Sequence, residues 1–337
     1  MLTSSERFAR LAQATLLLTL GACDTAGPAS HDATPAPGGS ADKADIWVFD
    51  TRLEWFELGR LPEIDPIYDA DGAFVAASSV AAVARSNRVE QWDELTYTAV
   101  ETMGACPDER FADQPAQRSS GTAVLIDDDL VLTAWHVART IPCDDLRFVF
   151  GYRRETEGDP IQTVARLDPG EDVYACAEIV LPATFDQGQS DYADGIDLAL
   201  VRLDRPVSQA YTPAEIAPAP WLVDRPAAML SMGMPVGMPL KVDPGFVLNV
   251  DASNYFEVGS DLFKGTSGGP LFDADNRLIG IVKGGPRDFE RRDGESCVRY
   301  TSHVAKLNRA SWAQPILRQY CDEVDDGGPW CTELRDR

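Results

Sequence analysis

Residues 122–137 read TAVLIDDDLVLTAWHV, and the fold turns on how that stretch is read. Two short apolar runs, Thr122 to Ile126 and Leu130 to Thr133, flank Asp127, Asp128 and Asp129. Branched and apolar side chains suit a pleated surface, and an Asp cluster between them is turn chemistry, so the stretch predicts a β-hairpin. His136 follows directly after the second run.

Outward from this hairpin the same grammar continues. From Ala73 onward, short apolar runs are broken by Gly, Pro, Asp and Asn at intervals typical of an all-β barrel or sandwich. Further strands are expected at Arg147 to Tyr152, Val173 to Val180, Leu198 to Leu203, Ala228 to Ser231, Phe246 to Val250 and Leu278 to Val282. Ser302 to Tyr320 reads as helical, with Pro315 kinking it or opening a second helix. The expected architecture is two β-barrels closed by a C-terminal helix.

The strongest chemical signal is Gly265, Thr266, Ser267, Gly268, Gly269, Pro270. A nucleophilic serine on a tight turn needs glycines that let a substrate carbonyl approach the backbone. A hydroxyl is a weak nucleophile at its free pKa and needs an adjacent base, most often imidazole. The chain has three histidines: His31 in the Ala-, Pro-, Gly- and Ser-rich tether, His303 in a polar segment, and His136 beside the hairpin. His136 is the candidate base. A carboxylate must then fix the imidazole tautomer, and Asp197 opens the apolar run Asp197, Leu198, Ala199, Leu200, Val201, whereas Asp191 and Asp194 lie in a polar loop.

These three segments, in the order His136, Asp197, Ser267, resemble the chymotrypsin-like serine peptidases, in particular their bacterial trypsin-like and glutamyl-endopeptidase-like branch. The resemblance covers residues 73–320 and implies two six-stranded antiparallel β-barrels. It also implies that His136 is the general base and then acid, Asp197 its orienter and Ser267 the acyl-forming nucleophile. The backbone N–H groups of Gly265 and Ser267 would form the oxyanion hole. Asp261, six residues before the serine, would sit at the base of the specificity pocket and select Arg or Lys. Val282, Lys283 and Gly284 would dock the substrate backbone as an extended edge, with Lys283 read as a solvated strand residue. Glutamyl endopeptidases carry a histidine where Val282 stands, so selection of Glu by that route is disfavoured.

The departures matter too. Ser119 and Val137 occupy the places of a disulfide that staples the histidine loop in many relatives. Trp135 stands where a small residue is usual before the histidine, and it would carry the alternative reading of a silent homologue acting as an envelope binding protein. Against a reactive hydrolase and a silent homologue stands a third expectation, a non-peptidase surface protein with an accidental Gly-Ser motif.

The ends of the chain address its location. Arg7 and Arg10 precede an apolar run, Leu11 to Leu20, too short to span a bilayer and shaped like a signal peptide over residues 1–22. Leu20, Gly21, Ala22, Cys23 resembles the bacterial lipobox, which implies lipidation at Cys23. Residues 24–45, rich in Ala, Pro, Gly and Ser, read as a flexible tether to a bacterial envelope, and residues 46–72 as a strap or propeptide-like segment. Six further cysteines in an exported chain predict three disulfides, with Cys143–Cys176, Cys321–Cys331 and Cys106–Cys297 preferred over the other pairings. No metal ligand set or cofactor motif is evident, and Met229, Met232, Met234 and Met238 read as core filling. The net charge of -24 opposes nucleic acid and anionic lipid surfaces, leaving a polypeptide as the expected partner of a monomer.

Overall fold

The structure is a computed structural model, and it describes residues 52–54, 70–92, 97–116, 119–154, 167–184, 196–218, 227–249, 255–286, 288–301, 307–323 and 329–335. The signal peptide, Cys23, the tether, His31, Asp191, Asp194 and His303 lie outside these residues.

The expected hairpin forms as β3 (Gly121–Asp127) and β4 (Leu130–Thr133), paired antiparallel around the Asp turn. It belongs to a closed barrel completed by β2 (Val80–Arg85), β5 (Leu146–Phe150), β6 (Val173–Thr184) and β7 (Asp197–Leu203), in the order β2-β3-β4-β7-β6-β5. Alternate residues such as Leu125, Val131, Phe148, Ala199 and Val201 are fully buried in its interior. Strand β2, Val-Ala-Ala-Val-Ala-Arg, carried no strand signal of its own because alanine has low β-propensity. Pairing on both sides, to β3 and β5, holds it extended.

A second barrel closes from β8 (Ala227–Gly233), β9 (Lys241–Asn249), β10 (Tyr255–Gly259), β15 (Leu307–Trp312), β12 (Leu278–Gly284) and β11 (Pro270–Phe272), with β8 pairing both β11 and β9. Two closed six-stranded antiparallel barrels are thus present, as the resemblance implied. An additional short strand, β1 (Leu53–Glu54), pairs antiparallel with the start of β9.

One sequence expectation fails here. The region read as helical up to Tyr320 contains strand β15 and becomes helical only at α5 (Gln314–Glu323), with Pro315 in the first turn. Strand pairing on both flanks, to β10 and β12, overrides the local preference of Asn308, Arg309, Ala310 and Ser311. Proline has no N–H to lose in a first helical turn, so Pro315 starts the helix rather than kinking it.

The three disulfides are Cys106–Cys297, Cys143–Cys176 and Cys321–Cys331, the preferred pairing. The last ties α5 to α6 (Pro329–Arg335), where Trp330 stacks on Tyr320 and donates from Nε1 to Asp127 of the first barrel. All four methionines of 229–238 are buried.

Candidate active site

Strand register brings the histidine to the carboxylate. β4 and β7 are antiparallel neighbours with Thr133 opposite Ala199, so the end of β4 lies beside the beginning of β7. Two residues past that end, Trp135–Ala138 form the single helical turn α4, which carries His136. Asp197 grips this residue twice: its Oδ1 accepts the His136 backbone N–H at 2.8 Å, and its Oδ2 lies 2.6 Å from Nδ1. The carboxylate is buried, with 7% of its side chain exposed, while the imidazole retains 23%. A carboxylate is an acceptor, so Nδ1 carries the proton and Nε2 of the neutral ring is left as a base. The Asp197 backbone N–H donates to Ser311 Oγ of the second barrel at 3.2 Å, linking the pair to the other half of the molecule.

Ser267 comes from the second barrel and is pressed against the first. Its carbonyl accepts the Thr122 N–H at 2.8 Å. At Gly268, where φ is +87°, a Cβ would lie 2.0 Å from the Thr122 carbonyl oxygen and 2.9 Å from the Ala134 nitrogen. Only glycine allows the turn after the serine to abut the residue two before His136. His136, Asp197 and the Ser267 turn are therefore gathered where the barrels meet.

The amides around the serine divide into two sets. Those of Lys264, Thr266, Gly268 and Gly269 donate to Asp288, the Phe263 carbonyl, the Val282 carbonyl and the Thr266 carbonyl respectively. Those of Gly265 and Ser267 have no acceptor among the described residues. Two unengaged donors flanking a serine form a site for a developing oxyanion. Gly265, at φ +101°, fits because a Cβ there would lie 2.6 Å from the Met234 carbonyl oxygen.

Beside Ser267 opens a cavity of about 200 Å³ lined by Leu262, Phe263, Lys264, Val282, Lys283, Gly284, Gly285, Asp288 and Asn308. Three expectations change here. Asp261 is buried but is not among the lining residues; its backbone N–H is drawn 2.5 Å from Asp243 Oδ2. Asn308 lines the cavity instead, donating from Nδ2 to the Ser260 carbonyl at 2.6 Å. Val282 cannot dock a substrate backbone, because its N–H donates to Gly269 and its carbonyl accepts from Gly268. Lys283 is 2% exposed rather than solvated.

Sequence reasoning missed Phe263, Lys264, Leu262, Gly285, Asp288 and Asn308. The first two lie within four residues of the serine, a proximity that could have drawn attention to them. Asn308 was hidden by the mistaken helix. Trp135 packs against the core of the first barrel. Gly121, not Ser119, faces Val137, whose methyls would lie 2.6 and 2.9 Å from a Cβ built on that glycine.

Residues 121–281 match the family model of the trypsin-like peptidase domain. No curated protein matches the chain. Among solved structures, the chain is similar to neuropsin, a serine protease expressed in the limbic system of mouse brain, at 15% identity and a TM-score of 0.48, over 74% of this chain and 95% of that one. It is also similar to an inactive serine-to-alanine mutant of Rv3671c from M. tuberculosis, at 14% identity and a TM-score of 0.40, over 76% of this chain and 93% of that one.

Proposed function

We propose that this chain, which carries a trypsin-like peptidase domain over residues 121–281, is a serine endopeptidase that cleaves polypeptides through an acyl-enzyme. The observation that carries the reading is the double grip of Asp197 on His136 beside the Ser267 turn. In the first step Ser267 Oγ attacks the scissile carbonyl while His136 Nε2 takes its proton, and the buried Asp197 carboxylate stabilises the imidazolium. The N–H groups of Gly265 and Ser267 receive the oxyanion, an interaction worth about 3 kcal/mol per donor in the transition state. His136 then protonates the leaving amine, and water repeats the sequence to release the acid.

A preference for Arg or Lys before the cut was expected from Asp261, which does not line the cavity; the carboxylate among the lining residues is Asp288. The docking edge falls to Lys283 and the Gly284–Gly285 run, whose backbone borders the cavity beyond Val282. Trp135, on which a silent homologue would rest, packs against the core of the first barrel.

We further propose that the protein is an exported monomer held to a bacterial envelope through Cys23. Metabolic lipid labelling that persists in Cys23→Ser would remove the anchor. For the enzyme itself, a fluorophosphonate should label folded protein at Ser267 and leave Ser267→Ala untouched. Absence of labelling on the wild type would overturn the peptidase reading.

A further inference from the structure

The segment that precedes the first barrel reaches the wall of the cavity. Arg52 is 1% exposed, and its guanidinium centre lies 3.8 Å from the Phe263 ring centroid, 5.1 Å from that of Tyr300 and 5.5 Å from that of Phe111. Phe263 and Tyr300 meet edge to face at 5.7 Å, and Phe289 closes the group at 5.8 Å from Phe263. A guanidinium set against aromatic faces and removed from water is attracted by the ring quadrupoles more strongly than at a surface.

Phe263 is also part of the site. It lines the cavity beside Ser267, and its carbonyl accepts the Thr266 N–H at 2.9 Å. The turn 263–266 thus has two supports. Met234 and Val236 hold one side, where the Val236 N–H donates to the Lys264 carbonyl at 2.5 Å. Arg52 backs the ring on the other.

Arg52 is itself anchored by its neighbours. Leu53 and Glu54 pair with Val242 and Lys241 of β9. The buried Glu54 carboxylate receives Lys241 Nζ at 3.3 Å and Arg154 Nη1 at 3.4 Å, and it also accepts from Gln114 Nε2. Gln114 in turn accepts from Lys241 Nζ at 2.8 Å. Four segments remote in sequence, around residues 54, 114, 154 and 241, converge on the root of this strand.

We infer that Arg52 is a positioning residue for the substrate pocket: through Phe263 it fixes the turn bearing the amides of Gly265 and Ser267. The N-terminal segment is accordingly an integral strap of the working peptidase, and cutting it away disables the site rather than releasing it. This rests on the peptidase reading for its consequence, though not for its geometry.

The experiment compares full-length wild type, Arg52→Ala, Arg52→Lys and Arg52→Met, the last keeping side-chain volume should alanine fail to fold. Hydrogen exchange is read at the amides of 262–267 and, as control, at 123–126 in the first barrel; KM and kcat are read on a peptide substrate. Arg52→Ala should accelerate exchange at 262–267 alone and lower kcat/KM about tenfold, through a raised KM from the displaced pocket wall and a lowered kcat from the loosened oxyanion donors, and Arg52→Lys should restore much of both. Unchanged exchange at 262–267, or equal acceleration in both barrels, overturns the inference. A wild type that neither cleaves peptides nor reacts with fluorophosphonate defeats the peptidase reading, while the exchange comparison still decides the strap.

Discussion

The two barrels share an architecture and are held together differently. The first encloses an almost purely apolar interior, from Ala81 and Val83 through Phe148 and Phe150 to Val201 and Leu203. The second, with its attached β1, buries Arg52, Glu54, Lys241, Asp243, Asp261, Lys283 and Asn308 along its flanks. Apolar burial is non-directional, so the first barrel is a scaffold whose strands are interchangeable in chemistry though not in place. Buried charges are tolerated only with specific partners, so the second barrel fixes its loops through named pairs drawn from distant segments. The histidine and carboxylate sit on the first kind of structure, and the serine turn with its pocket on the second.

The largest test of this contrast is Asp197→Asn. Replacing the acceptor that takes both His136 donors should lower kcat by about 10⁴ through the wrong imidazole tautomer, with thermal stability changed far less. Steady-state kinetics beside a melting curve decides it, and a small loss in kcat would dissociate the pair from the chemistry.

Next come two substitutions matched in stability and opposed in consequence. Phe148→Ala hollows the first barrel at a fully buried site, and about 3–5 kcal/mol of stability should go. Glu54→Ala leaves the buried Lys241 and Arg154 without their carboxylate and should cost about 3–5 kcal/mol as well. Urea titration should find the two comparable. Kinetics on the folded fraction should separate them, with KM raised for Glu54→Ala and near wild type for Phe148→Ala. Equal KM values would erase the distinction between the barrels.

The smallest effect is in pH. Burial pushes the Lys241 ammonium down to about 8 from 10.5, against the opposing pull of Glu54, while nearby Arg52 and Arg154 lower it further. Between these values the unfolded chain binds more protons at this site than the folded one, so its contribution to stability rises with pH there and is lost as pH falls through about 8. The stability of wild type relative to Lys241→Met should therefore increase from neutral pH to about pH 10 in urea titrations. A flat difference would mean that folding leaves the Lys241 ammonium at its ordinary pKa, the cost of burial being fully offset by Glu54.

Legibility in the sequence follows the same division. The hairpin around Asp127, Asp128 and Asp129 was readable because turn chemistry and apolar runs are local properties. So were the glycine-flanked Ser267 and the solitary histidine beside a strand. Strand β2 was not, since alanines take their conformation from neighbours 40 and 67 residues away, as in the pairs Ala82 with Thr122 and Ala82 with Val149. Strand β15 was misread for a related reason: the fit of Asn308 and Ala310 to a sheet lies in the strands that flank them.

By itself the sequence determined the chemistry available, namely one serine in a turn of glycines, one histidine at a strand end and one carboxylate opening an apolar run. It also determined the alternation that demands closed sheets. Only the tertiary structure decided that Asp197 holds both donors of His136, that Asn308 rather than Asp261 borders the pocket, and that Arg52 stands behind Phe263. Each of these depends on strand register and loop approach between residues far apart in the chain, and such pairings carry no local signature.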